Sequence, residues 1–152
     1  MSTTAHLSGT SARLANGAIA GLTGGVVFGV LMAMMGMLPM IGMLIGVDNA
    51  VVGFVVHLVN SAVIGVIFAV LVWPLAGRIG PLLGAGVVYG VVWWVLGALV
   101  IMPLWLSVTA DPIMRGMVFH IGKDQWLSLM GHVLYGLVTA GALYGLRRRA
   151  TS

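Results

Sequence analysis

The sequence has no cysteine and few charged residues. Without cysteine, the chain can form no disulfide, no thiolate metal site and no lipid-modified cysteine. Charged residues make up 7% of the 152 residues, against roughly 25% in soluble domains. Hydrophobic residues make up 61%, and the mean hydropathy is +1.14. A chain with so little polar surface is predicted to be an integral membrane protein, with the lipid bilayer as its main partner.

Catalytic motifs are also missing. No carboxylate lies within an apolar run, which argues against a proton relay or a cation-coupled pump. The sequence has neither a histidine-rich metalloprotease motif nor a glycine loop followed by lysine for phosphate binding. Ser61 follows His57 by four residues, which resembles a nucleophile and its base in residue types alone. No third residue is available to orient the histidine, so this pair does not predict a catalytic site. We therefore expect a protein that is not an enzyme.

Four apolar runs are long enough to cross a membrane, which takes roughly 20 residues. The first run has no small-residue cleavage site soon after its start and is interpreted as a spanning helix rather than a signal peptide. Pro39, the stretch "WPLAGRIGP", and Pro103 with "TADP" are expected to end the runs. We predict an all-α protein with a polar N-terminus (1–13), one membrane domain (14–146) and a basic tail (147–152). The predicted spans are 14–38, 50–73, 82–106 and 125–146.

Charged residues divide unevenly between the two ends of these spans. The side of the termini carries five arginines, whereas the other side carries Arg115, Lys123 and all three acidic residues. The positive-inside rule then puts both termini in the cytoplasm. Because the basic residues are few and lie at span ends, they predict orientation and no nucleic-acid partner. The five arginines are Arg13, Arg78 and residues 147–149.

The two halves of the chain resemble each other. "GGVVFGVLM" in the first span resembles "AGVVYGVVW" in the third, and "HLVNSAVIGVIFAVL" in the second resembles "HVLYGLVTAGALYGL" in the fourth. Two parallel helical hairpins (14–77 and 78–146) predict a pseudo-two-fold four-helix bundle. Small residues recur at every fourth position, which lets helices approach closely in lipid and also suits a homo-oligomer. In the first span these residues are Gly17, Gly21, Gly25 and Gly29.

Each repeat carries one histidine within a span, His57 or His132, seven residues after the start of its second span. Both lie on the small-residue stripe, so we expect them to face other helices about 10 Å below the outer end of the spans. A hydrogen bond that holds helices together is the favoured interpretation. Axial ligation of a haem, or a proton, metal or polar-substrate site, is the alternative. The neighbouring side chains that can take part are Asn60, Ser61, Tyr135 and Thr139.

Methionines gather around the first break, in "MAMMGMLPMIGM". Thioether and imidazole ligands suit Cu(I), so a copper site on the outer side is a second cofactor hypothesis. The alternative is that these flexible side chains fill irregular apolar space. The candidate ligands are Met34, Met37, Met40, Met43 and His120.

From His57 to Arg149, about two-thirds of the chain, the order of features resembles the YagU-like family of small bacterial inner-membrane proteins. The matching features are His57, "FAV" at 68–70, Pro74, "GPLLGAG", "MPLWL", "GHVLYG" and the basic C-terminus. The methionine cluster does not match that pattern. The resemblance implies a protein of the bacterial inner membrane with a link to acid tolerance. In that setting the histidines would be natural pH sensors, since an unperturbed imidazole has a pKa of about 6.5.

Three hypotheses follow. The leading one is a small non-enzymatic membrane protein, transporter-like or an accessory subunit, with an outer-side cavity between the repeats. His57, Asn60, His132 and Tyr135 would line that cavity. The second is a membrane module that binds haem or copper. The third is a structural subunit of a larger membrane complex.

Overall fold

The computed structural model describes residues 3–151, and for residues 3–8 and 150–151 it describes the backbone alone. Helices and turns make up this part of the chain, and no strand occurs within it. Four helical stretches are long and apolar enough to cross a membrane: Gly9–Met34, Ala50–Leu75, Ile79–Thr109 and Lys123–Arg149. The prediction of an all-α chain with four spans is confirmed at this level. The predicted segments 1–13 and 147–152 lie partly outside the described residues.

Six α-helices and four shorter helical segments follow one another along the chain. Asn49 fixes the start of the second span, because its side chain accepts hydrogen bonds from the backbone N–H groups of Val51 (2.9 Å) and Val52 (3.1 Å). The α-helices are α1 (Thr3–Met34), α2 (Leu38–Gly42), α3 (Ala50–Val72), α4 (Ile79–Trp93), α5 (Met102–Thr109) and α6 (Lys123–Thr151). Three 3₁₀ turns cover Met43–Ile45, Trp73–Leu75 and Pro112–Met117, and a π-helical segment covers Trp94–Ile101.

The four spans pack side by side in the order α3, α1, α6, α4. Helix α1 contacts both α3 and α6, and α4 contacts α6, whereas the contact between α3 and α4 is slight. We call the end that carries both termini and the turn 73–78 the termini end. The opposite end, which carries the connections 35–49 and 110–122, is the long-loop end.

Glycine lets the helices touch in the half of the bundle nearer the termini end. A Cβ atom on Gly21 would lie 2.7 Å from Cα of Gly65, and one on Gly17 would lie 2.7 Å from Cβ of Ala69. Only glycine permits this approach of α1 to α3. The core beside this seam consists of Ala20, Phe68, Ala69, Ala76, Leu82, Ala140 and Leu143.

The third span passes through Pro103 and ends at Thr109, so "TADP" ends it as expected and Pro103 does not. Proline has no N–H for the carbonyl four residues earlier. That carbonyl, on Leu99, accepts a hydrogen bond from the backbone of Phe119 instead (3.0 Å). The preceding turn widens, so that the Met102 N–H reaches the Gly97 carbonyl. The π-helical segment and the docked loop thus accommodate the proline within the span.

Candidate functional site

A cavity of about 510 Å³ lies in the half of the bundle nearer the long-loop end, between α3 and the α4–α5 span. Its volume is within the range of ligand sites, roughly 300–1,000 Å³. Most of the wall is apolar or aromatic. The polar residues on the wall are His57, Asn60, Ser61, Ser128, His132 and Tyr135.

Hydrogen bonds join the helices below and above this cavity. On the side toward the termini end, the Tyr89 hydroxyl donates to the Ile64 carbonyl (2.6 Å), and its ring packs 4.9 Å from that of Phe68. Toward the long-loop end, the Trp105 indole N–H donates to the Leu44 carbonyl (2.7 Å). These two contacts join the helices at the two ends of the cavity along the membrane normal.

The cavity opens sideways, between α3 and the third span. Val63 and Ile101 line the cavity but are also 55% and 51% exposed on the surface of the bundle. Val63 lies near the middle of its span, and Ile101 lies closer to the long-loop end of the third span. Since both lie within membrane-spanning helices, the surroundings they face are lipid. A molecule dissolved in the bilayer can therefore reach the cavity without crossing water.

The back wall brings the two predicted histidines together around one aromatic ring. The centroid of the Phe28 ring lies 5.4 Å from that of His57 and 4.9 Å from that of His132, edge-to-face in both cases. Phe28 is buried on α1. Phe28 is not among the predicted site residues, although the internal repeat aligns it with Tyr89.

The imidazoles are held by different kinds of hydrogen bond. His57 uses Nε2 to donate to the Gly25 carbonyl on α1 (2.9 Å), which ties α3 to α1. His132 uses Nδ1 to donate to the Ser128 carbonyl of its own helix (2.8 Å), with the Ser128 hydroxyl 3.3 Å away. A carbonyl only accepts, so these ring nitrogens carry the protons. One imidazole therefore joins two helices, and the other is fixed within its own helix.

The neighbours predicted from sequence take other roles. The Tyr135 hydroxyl donates to the Ser61 carbonyl (2.7 Å) and so joins α6 to α3. Thr139 is buried, and its hydroxyl has no partner among the described residues. Asn60 lies on the cavity wall near the opening. None of these four side chains forms a hydrogen bond with an imidazole within the described chain. Gly25 has no side chain, so its carbonyl is accessible to His57, and His132 bonds to a carbonyl of its own helix.

The methionine cluster is dispersed over several elements. Met34 ends α1 and is 81% exposed, Met37 precedes α2, Met40 lies in α2, and Met43 begins the next turn. His120 is exposed in the connection to α6. Of these residues, Met37 is on the cavity wall. Within the described chain, no three His, Asp or Glu side chains lie close enough together to hold a metal ion.

A haem held by both histidines does not fit this arrangement. The Phe28 ring packs edge-to-face against both imidazoles. A macrocycle ligated by the two side chains would have to occupy space beside each imidazole, and Phe28 would have to leave. The geometry therefore favours a ligand that lies in the cavity in front of Phe28.

Arginine and tryptophan mark the termini end. Two guanidinium groups lie near the Trp73 ring, with Cζ of Arg13 at 5.6 Å and Cζ of Arg147 at 5.0 Å from its centroid. Arg147 also donates to the Trp73 carbonyl (2.6 Å). An indole with basic neighbours at the end of a span is typical of the boundary between membrane and water.

No protein-family model, curated protein or solved structure matches this chain.

Proposed function

We propose that this chain is a small non-enzymatic membrane protein that binds a molecule from the bilayer, as a transporter-like protein or an accessory subunit. One observation carries the proposal: a ligand-sized cavity opens toward lipid and has two imidazoles and Asn60 on its wall. Intramembrane polar groups are costly, so their collection around one opening favours a binding role.

The long-loop end faces the outside of a bacterial inner membrane in this proposal. The five arginines at the termini end support an orientation with both termini in the cytoplasm, since cytoplasmic ends are enriched in basic residues. The resemblance to the YagU-like family, from His57 to Arg149, supports this location. The cavity would then accept molecules from the outer leaflet.

The proposal includes a duplicated hairpin, and matching contacts in the two hairpins support it. The alignment of the repeats pairs Gly25 with Gly86, and Ser61 with Gly136. A Cβ on Gly25 would meet Ser61, and a Cβ on Gly86 would meet Gly136. Equivalent residues therefore make equivalent contacts, which is the expected result of duplicating one hairpin.

Filling the cavity tests the binding role. A Cβ on Gly97 would lie 3.7 Å from its nearest neighbour, the Trp93 ring, so Gly97→Leu can place its side chain in the cavity. We expect the variant to fold and to lose molecules that co-purify with the wild type, as measured by native mass spectrometry. The control is Gly141→Leu on α6, where nothing lies within 4 Å. Equal retention by both variants and wild type would contradict the proposal.

A metal-binding module is the second candidate. Its support is that each imidazole donates its N–H to a backbone carbonyl, as metal-binding histidines do, which leaves the other nitrogen as a possible ligand. Copper with help from Met37 is the form that avoids displacing Phe28. Stoichiometric copper by elemental analysis would favour it, and a Soret band would favour haem. A metal-free, colourless protein would remove this candidate.

Association with other chains is a further part of the proposal. Gly80 and Gly84 on α4 are exposed, and nothing within the chain lies within 4 Å of a Cβ at either position. Two glycines four residues apart suit a close helix contact in lipid, so they support a homo-oligomer. Light scattering in mild detergent distinguishes that oligomer from a complex with a fixed partner, which would co-purify.

A further inference from the structure

We infer that the ligand of the cavity is a neutral, membrane-dissolved molecule that ends in a hydroxyl group, and that this hydroxyl donates a hydrogen bond to His57 or His132. The inference rests on the proposed binding function and specifies the chemistry of its ligand.

The hydrogen bonds of the imidazoles determine what they offer to a ligand. A neutral imidazole has one N–H donor and one acceptor nitrogen. His57 commits its N–H at Nε2 to the Gly25 carbonyl, and His132 commits its N–H at Nδ1 to the Ser128 carbonyl. The remaining nitrogens, Nδ1 of His57 and Nε2 of His132, are therefore acceptors.

Both acceptor nitrogens belong to residues that line the cavity. Among the described residues, the fully buried side-chain nitrogen and oxygen atoms that lack a hydrogen-bond partner are Arg13 Nε and Thr139 Oγ1. The acceptor nitrogens of the two histidines are not among these fully buried atoms. Neither nitrogen has a hydrogen-bond partner among the described residues. Since His57 and His132 both line the cavity, the molecule that satisfies them comes from inside it.

The charge of the wall limits the ligand further. Among the described residues that line the cavity, none is Asp, Glu, Lys or Arg. An ionised head group placed there would have no countercharge and would lose its hydration, which is strongly unfavourable. Phosphate, carboxylate and ammonium heads are therefore disfavoured. A neutral donor remains, and a hydroxyl group is the simplest one found in membrane lipids.

The rest of the ligand is apolar. Beyond the histidines the wall consists mainly of aliphatic and aromatic side chains, and Val63, Ile67 and Ile101 flank the opening to lipid. A hydrocarbon tail can lie along this wall and pass out between α3 and the third span. Asn60 near the opening can both donate and accept, so it adds affinity but does not select for a hydroxyl. Diacylglycerol and a lipid quinol share this chemistry.

Brominated probes test the inference, because bromine quenches tryptophan fluorescence on contact and Trp93 lines the cavity. The probes are 12-bromododecanol and its methyl ether, which differ in the hydroxyl proton, titrated against the full chain in detergent. We expect the alcohol to quench at about three- to tenfold lower concentration, the value of one neutral hydrogen bond. Trp93→Phe should reduce the quenching, and Trp105, which also lines the cavity, accounts for the remainder.

The histidines are tested by the same pair of probes. In His57→Leu/His132→Leu the alcohol and the ether should quench at equal concentrations, because both acceptors are gone. Loss of the preference in this variant, with quenching by the ether retained, supports the inference. An unchanged preference contradicts it. If the double variant fails to fold, the single variants His57→Leu and His132→Leu are compared in the same way, and an unchanged preference in both contradicts the inference.

Competition distinguishes the sources of the hydroxyl. Displacement of the brominated alcohol by dioctanoylglycerol supports a diacylglycerol, and displacement by decylubiquinol under argon supports a quinol. Decylubiquinone, which accepts but does not donate, should displace it at least threefold less well than the quinol. Equal displacement by quinone and quinol would overturn the inference.

Failure of the inference and failure of the proposed function give different results. If alcohol and ether quench Trp93 equally in the wild type, the cavity binds apolar molecules but does not select for a hydroxyl group, and the inference is wrong. If neither probe quenches Trp93, the cavity does not admit ligands from the bilayer, and the binding function itself is wrong.

Discussion

The two halves of the bundle are built from the same four helices but differ in how they close. Toward the termini end, glycines bring α1 against α3, and Phe68, Leu82 and Leu143 fill the centre. Toward the long-loop end, α3 and the third span separate around a cavity of about 510 Å³. In lipid, apolar surface has no water to escape, so helices approach closely where small residues of both helices meet, as at Gly21 and Gly65.

The separation is stabilised by specific contacts on both sides of the opening. Tyr89 bonds to α3 below the cavity, and Trp105 bonds to the Leu44 carbonyl above it. The π-helical segment Trp94–Ile101 contributes Gly97, Ala98 and Ile101 to the wall of the cavity. The open half is thus as defined as the closed half.

The largest expected effect comes from breaking the closed half. In Gly65→Leu the new side chain would overlap the backbone of Gly17 and Gly21, which cannot move aside. We expect the free energy of unfolding to fall by about 3 kcal/mol or more, measured by unfolding of the purified protein in mixed micelles. Gly141→Leu is the matched control and should change it by less than about 1 kcal/mol. Equal stability of the two variants would refute the close packing of α1 on α3.

The two histidines give an intermediate effect and sharpen the comparison. His57→Leu removes a hydrogen bond between two helices, so we expect a loss of about 1 kcal/mol. His132→Leu removes a bond within α6, where the Ser128 carbonyl keeps its backbone partner, so the loss should be under about 0.5 kcal/mol. The same unfolding measurement checks both. A larger loss for His132→Leu would contradict the assigned bonds.

Tyr89→Phe gives a smaller expected effect than His57→Leu. It removes the hydrogen bond under the cavity and keeps the ring contact with Phe68. We expect a loss of about 0.6 kcal/mol, typical of a hydrogen bond between spanning helices. Tyr144→Phe is the control, since the Tyr144 hydroxyl bonds to Arg148 within its own helix at 3.3 Å. An equal loss of stability in the control would contradict the claim that the Tyr89 hydrogen bond stabilises the contact between α3 and α4.

Much of this architecture could be predicted from patterns in the sequence. The length of the apolar runs predicted four spans. The four-residue spacing of Gly17 and Gly21 predicted a packing face, and both residues lie where α1 meets α3. The stripe positions of His57 and His132 predicted that both face inward, and the structure places both beside Phe28. These features depend on helical periodicity, which is visible in one sequence.

Other features depend on contacts between distant residues. Pro103 was expected to end its helix, but Phe119 supplies a hydrogen bond to the exposed Leu99 carbonyl, and that partner lies in an irregular loop. The bond from His57 to Gly25 likewise depends on a backbone carbonyl, which every residue carries, so no residue type identifies it in advance. Sequence patterns therefore predicted the helices and their inward faces better than the hydrogen bonds between them.

The opening of the cavity toward lipid is the central claim, and a spin label at position 98 tests it most directly. Since the chain has no cysteine, Ala98→Cys gives a single labelled site on the cavity wall, and Val88→Cys, at a position that is 64% exposed, gives a lipid-facing reference. In liposomes we predict that oxygen collides with both labels at similar rates and that a water-soluble nickel chelate reaches neither. An oxygen collision rate at position 98 several-fold below that at position 88 would contradict an opening to the bilayer.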